Sequence, residues 1–183
     1  WPERFPLEEL RRKRRMNERD FEALYQQRPY IEGGNMIKLE WWGTYEQLPD
    51  HFSSIVVGVD TAYKTNERND FSVAVVAGLT MDGDIYIIDV IRGRWEFPDL
   101  KAILIRLNLK WRGKGLRAFH VEDKASGQSL IQELRRESGF SVIASKLPHD
   151  KVAKVSAHLM PLVEGGRVFL PAEAPWLDDF VQE

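Results

Sequence analysis

The sequence predicts an α/β domain built on a mixed sheet with helices on both faces, and three observations carry that expectation. Three apolar, β-branched runs follow one another between residues 55 and 91 with short connections, which predicts an antiparallel meander. The hydrophobic period then lengthens to threes and fours at Leu100, Ile103, Leu104, Leu107 and Trp111, the mark of an amphipathic helix that must lie on the sheet. From there on, extended and helical segments alternate, which calls for parallel strands with helical crossovers.

The elements follow in chain order. Ile55 to Asp60 is the first core strand and ends on a carboxylate; Phe71 to Gly78 is the second. Met81-Asp82-Gly83-Asp84 supplies a turn and Ile85 to Ile91 the third strand. Pro98 suits the first turn of the helix that runs to Trp111. Ala118 to Val121 is a short strand running into Glu122-Asp123, followed by a helix carrying Leu130, Ile131 and Leu134. Phe140 to Ala144 resumes extended structure. A helix from about Asp150 to Leu159 should end or bend at Pro161, Arg167 to Leu170 is a last short strand, and Pro175-Trp176 opens a further helix. Residues 1–50 read as a linker subdomain that packs on the main domain, residues 51–183, through Trp41, Trp42 and Tyr45.

Composition narrows the function classes. With 43% apolar and 30% charged residues, the 183-residue chain can fill a sizeable core. It has no cysteine, so thiolate catalysis, disulfide scaffolds and sulfur-ligated zinc are excluded, and a metal must sit on oxygen or imidazole. The formal charge is only -2, yet residues 101–150 carry a net +5, and Arg11, Arg12, Lys13, Arg14 and Arg15 form an unbroken cationic run. That run reads as a solvated helix face, a docking surface or a DNA contact. No apolar run is long enough to cross a membrane, and the opening Trp-Pro-Glu-Arg suggests a fragment of a longer cytoplasmic protein.

Asp60 and Glu122 stand out among the acids. Each closes an apolar strand and precedes small or polar residues, which makes both candidates for one end of the sheet. Two neighbouring carboxylates repel unless a cation lies between them, and hard ions such as Mg²⁺ or Mn²⁺ take one or two carboxylates together with water and phosphate. The chemistry expected of such a pair is attack of water on a phosphodiester. The plainer reading is that these acids cap turns at strand ends.

Gly58-Val59-Asp60-Thr61-Ala62, Asn69-Asp70-Phe71-Ser72 and Val121-Glu122-Asp123-Lys124-Ala125-Ser126-Gly127 together resemble the C-terminal nuclease domain of the large terminase subunit of tailed bacteriophages and prophages. Phe21 to Pro29 resembles the segment joining the packaging ATPase to that nuclease, and His149 to Lys154 and Glu164 to Val168 resemble its later landmarks. The resemblance implies a ribonuclease H-like fold. It implies a metal-dependent DNA endonuclease that cuts concatemeric viral DNA during packaging, with Asp60 and Glu122 as catalytic metal ligands and a two-ion Mg²⁺ or Mn²⁺ site in the complete domain. A third acid is expected in a segment beyond Glu183, so the nuclease domain reads as truncated at its C-terminus. The implied partners are double-stranded DNA, an ATPase domain of the same polypeptide, the small terminase subunit and the portal protein, in the cytoplasm of a bacterial host and with no membrane.

Other residues divide between roles. Asp70 is an auxiliary ligand or a turn cap; Asp123, pointing away if the strand persists, would shape the site as a neighbour; His149 and Asp150 sit at a helix start near it. Lys124 and Lys151 are candidate phosphate contacts, as are the five cations Arg11 to Arg15, or else all of these are surface charges. The glycine pairs Gly33-Gly34 and Gly165-Gly166 do not form a phosphate-binding loop, so no ATP hydrolysis is expected. Two other readings stay open: a prophage remnant that binds DNA or a terminase partner without cutting, and a resolvase or transposase on the same fold.

Overall fold

The computed structural model describes residues 37–61, 71–123, 125–137, 139–146 and 155–182. Among the described residues, seven strands form one mixed sheet: β1 (Gly43–Tyr45), β2 (Ser54–Asp60), β3 (Ser72–Leu79), β4 (Ile85–Gly93), β5 (Leu116–Glu122), β6 (Val142–Ser145) and β7 (Val168–Pro171). Their order across the sheet is β1-β7-β4-β3-β2-β5-β6. The meander is present, with β2 antiparallel to β3 and β3 antiparallel to β4. Its β3–β4 turn has Gly83 at φ +84, and Arg167 closes it by donating to the Asp82 carbonyl and the Asp84 carboxylate. β5 lies parallel to β2, β6 parallel to β5, and β7 parallel to β4.

Helices α1 (Phe97–Trp111) and α2 (Ala125–Arg136) cover one face. α1 starts with Pro98 in its first turn and buries Leu100, Ile103, Leu104, Leu107 and Trp111, the stripe expected from their spacing. These meet Leu130, Ile131 and Leu134 of α2 over Ile55, Val57, Val59, Ala74, Val76, Phe119 and Val121 of the sheet. Lys101 ties the helices together, its Nζ 3.1 Å from Glu133 and 2.9 Å from Glu137. The opposite face carries a second core of Ile87, Val163, Val168 and Leu170. Trp41, Trp42, Val75, Leu159, Trp176 and Phe180 pack around it. Helices α3 (Met160–Glu164) and α4 (Leu177–Gln182) belong to this side.

The aromatics before residue 51 do reach the sheet. Tyr45 donates to the Ile87 carbonyl at 2.8 Å, and the Trp42 ring meets that of Phe180 edge-on at 6.1 Å. Residues 43–45 also pair with β7 as its outer neighbour, so this part of the segment is an edge strand of the same sheet. Of the two outcomes expected at Pro161, an end or a bend, the helix does not end there. A π-helical turn at Val155–Leu159 runs directly into α3, and Pro161 stands in the first turn of the α-helical stretch, where a missing N–H is tolerated.

Two bulges decide which side chains face which layer. In β5, Ile55 pairs with Leu116 but Val56 with Ala118, so Arg117 is the extra residue. Leu116 packs in the α1/α2 core and so do Phe119 and Val121, three and five positions later, an odd offset that only a bulge allows. The bulge thereby sends His120 and Glu122 to the other face. In β4, Ile88 is the extra residue between the Val76–Asp89 and Ala77–Ile87 pairs, and it lets Ile88 and Ile91 both join the α1/α2 core.

Candidate metal centre

Asp60 is the last residue of β2 and Glu122 the last of β5. These parallel strands are adjacent and in register at Val59–Val121, so the two acids come one step further along neighbouring strands, where backbones lie about 5 Å apart. Val59 and Val121 point into the α1/α2 core, so alternation turns Asp60 and Glu122 together to the opposite face. Both line a pocket of about 290 Å³ with Gly58, Val73, Val75, His120 and Ser145. Glu122 is only 4% exposed, whereas Asp60 is open to solvent.

The floor of the pocket is Gly58, which pairs with Val75 on one side and His120 on the other. A Cβ placed on Gly58 would meet no heavy atom within 4 Å. The glycine therefore leaves a hollow beside the two carboxylates, in a strand where β-branched side chains are the rule. His120 Nδ1 stands 3.5 Å from Ser145 Oγ on the neighbouring strand, which places an imidazole at the wall of the same pocket. Glu122 is held from behind: α2 begins directly over it, and Gly127 approaches the Glu122 carbonyl so closely that any Cβ would collide with it.

The donor chemistry fits a hard divalent cation. One buried and one exposed carboxylate share a hollow with room for water and a phosphate oxygen, the ligand set that Mg²⁺ and Mn²⁺ accept. Among the described residues, no group of three or more His, Asp or Glu converges as a complete metal site.

Of the remaining sequence candidates, Asp123 lies just past β5, half-buried, and its N–H donates to the Ser145 carbonyl at 2.9 Å. It is not among the pocket residues. Asp70, Lys124, His149, Asp150 and Lys151 fall outside the described residues, as do Arg11, Arg12, Lys13, Arg14 and Arg15. His120, Ser145 and Gly58 had no assigned role from sequence. The signal was present for His120, two residues before Glu122 on one strand and thus on its face. For Gly58 and Ser145 only the strand pairing reveals it.

The family model described as the terminase RNaseH-like domain matches residues 57–183. The chain belongs to this family. Its fold is shared with the large terminase of a thermophilic bacteriophage, at 14% identity and a TM-score of 0.63, covering 97% of this chain and 44% of that one. It is also shared with the large terminase nuclease domain of Thermus phage P74-26, at 20% identity and a TM-score of 0.51, covering 75% and 65%. The large terminase nuclease of thermophilic phage G20c, in a structure with bound magnesium, is 22% identical with a TM-score of 0.51, covering 75% and 66%. This terminase domain thus spans less than half the length of the first of these proteins. No curated protein sequence matches it. No helix among the described residues is long and apolar enough to cross a membrane.

Proposed function

We propose that this terminase domain is a metal-dependent DNA endonuclease that cuts concatemeric viral DNA during genome packaging. The observation that carries the reading is the placement of Asp60 and Glu122 at the ends of adjacent parallel strands, on one face, over a pocket floored by glycine. Family membership and the magnesium-bound G20c neighbour support it.

Asp60 and Glu122 would hold Mg²⁺ or Mn²⁺. Bound there, the ion supplies Lewis-acid polarisation of the scissile phosphate and offsets the charge of both carboxylates. The chain's own residues do the rest. Buried Glu122, fixed by β5 and by the contact of α2 on its backbone, gives the site a rigid oxygen donor; exposed Asp60 leaves the solvent side open for the DNA strand. Gly58 keeps the space beside them clear, and His120 offers a nitrogen that can accept or donate a proton at the pocket wall. In the whole protein, the segment before residue 51 would join this domain to a packaging ATPase, with the small terminase subunit and the portal as partners in the host cytoplasm.

The test is nicking of supercoiled plasmid in Mg²⁺ or Mn²⁺ by the full-length protein that contains this domain and by its Asp60→Asn and Glu122→Gln variants. Cutting that requires the metal and falls by at least about a hundredfold in both variants, while DNA binding changes little, is the expected result. A folded full-length protein that binds DNA but shows no metal-dependent cutting would overturn the endonuclease reading in favour of a non-cutting terminase module.

A further inference from the structure

Two arginines and one phenylalanine form a cluster at the same end of the sheet, on the same face as the carboxylates. Asp60 pairs with Val73 and Val73 with Arg92, so Arg92 lies two strands across from Asp60, about 10 Å away along the hydrogen-bonding direction. Val73 lines the pocket, and Arg92, directly opposite it, shares its face. Phe71, two residues before Val73, is 37% exposed although large and apolar. The Arg92 guanidinium carbon is 4.0 Å and that of Arg94 4.2 Å from its ring centroid.

Packing two cations on one exposed ring brings like charges together, and a ring quadrupole neutralises neither. Asp179 of α4 lies 3.9 Å from Arg92. What the arrangement gains is orientation. Stacking on Phe71 restricts two flexible side chains whose planar forks match phosphate oxygens. The carboxylates next door repel the phosphates of any DNA strand entering the pocket, so a strand crossing them needs cations along its path. A cluster about 10 Å from Asp60 is within reach of phosphates a few positions at most from the one being cut.

We propose that Arg92 and Arg94, presented on the Phe71 ring, are a DNA phosphate-contact site that seats the strand across the Asp60–Glu122 pocket. The inference rests on the endonuclease reading and names the contact that positions its substrate.

The experiment measures binding of the full chain to two unrelated duplexes by fluorescence anisotropy in EDTA across a salt series, which separates binding from cutting. Arg94→Ala, at an exposed position, should weaken both duplexes by a similar factor, roughly three- to tenfold, and lower the salt slope by about 1. The double variant Arg92→Ala/Arg94→Ala should lower it by about 2. Arg94→Lys should keep the slope, and Phe71→Leu should weaken binding with the slope nearly retained, since the charges remain and only their orientation is lost. Thermal melts establish that each variant is folded; should the double variant melt early, Arg94→Ala and Arg94→Lys decide alone. Metal-dependent cutting by the wild-type chain with affinity and slope unchanged in Arg94→Ala would overturn this site and leave the endonuclease reading intact. An arginine-dependent slope in a full-length protein that never cuts would uphold the site and overturn the endonuclease.

Discussion

Gly127 of α2 lies against the main-chain carbonyl of Glu122, with no space for a Cβ between them. The contact is backbone to backbone, so nothing flexible can give way, and the helix start is thereby seated on the strand end that carries a site carboxylate. Gly127→Ala should push α2 off β5, at a cost of about 1–3 kcal/mol by urea denaturation. Because the displaced atom belongs to Glu122, cutting should fall further than the stability loss alone explains, by on the order of a hundredfold at a temperature where the variant is still folded. Retained cutting in a destabilised variant would show that this packing does not position Glu122.

Asp60 and Glu122 on adjacent strands repel each other when no cation is bound, and Glu122 is buried. Adding millimolar Mg²⁺ or Mn²⁺ should therefore raise the melting temperature of the chain, because an ion that binds only the folded state stabilises it by mass action. Asp60→Asn or Glu122→Gln should abolish the metal-induced rise. Each should also melt at or above the wild-type temperature in EDTA, since one of two facing charges is gone. Differential scanning fluorimetry measures both arms, and an equal metal response in all three proteins would remove the shared site.

The order of strands and helices was legible because local patterns and layer packing agree. Ile55 to Val59 is a continuous apolar, β-branched run that reads as a strand, and Pro98 marks the start of a segment whose apolar residues recur with the helical period. The pairing of Asp60 with Glu122 was legible as two acids closing two apolar strands. The two bulges were not: nothing in Leu116-Arg117-Ala118 or Ile87-Ile88-Asp89 announces an extra residue, yet the first decides that Glu122 faces the pocket and not the α1/α2 core. Pro161 escapes its usual helix-breaking effect because the wider turn before it changes the hydrogen-bonding pattern that a proline would break. Phe71 is far in sequence from Arg92 and Arg94, and the β3–β4 pairing brings it to them.

Burial, and then the nearby charge of Asp89, push the Tyr45 phenol up to about 12 from its ordinary value near 10. The neutral phenol is the form the fold favours. A group with a raised folded-state pKa contributes stability that is complete below the unfolded value and is lost as pH climbs to the folded one, so this contribution should decline between pH 10 and 12. Tyr45→Phe removes the 2.8 Å hydrogen bond to the Ile87 carbonyl and should cost about 1 kcal/mol at pH 8. The gap between the two proteins should then narrow from pH 10 upward, read by urea melts at each pH. A gap that stays constant to pH 12 would show that the phenol titrates normally.

Gly58 offers the sharpest separation of fold from function. It sits in the middle of β2 between Val57 and Val59, both buried in the α1/α2 core, and its open side is the hollow beside Asp60 and Glu122. Glycine weakens a strand by roughly 0.5–1 kcal/mol relative to alanine, and β-branched residues do better still, so on stability alone this position favours valine. No heavy atom within 4 Å of the added Cβ stands in the way. Gly58→Val should fold with unchanged or higher resistance to urea, while its methyl groups occupy the space that water and a phosphate oxygen would need. Cutting should fall by at least about a hundredfold, and the metal-induced rise in melting temperature should shrink with it; Gly58→Ala should lie between wild type and valine on both scales. DNA affinity in EDTA should hold, because the phosphate contacts proposed at Arg92 and Arg94 lie two strands away. Full activity in a stably folded Gly58→Val would mean that the chemistry takes place elsewhere, whatever the geometry of Asp60 and Glu122.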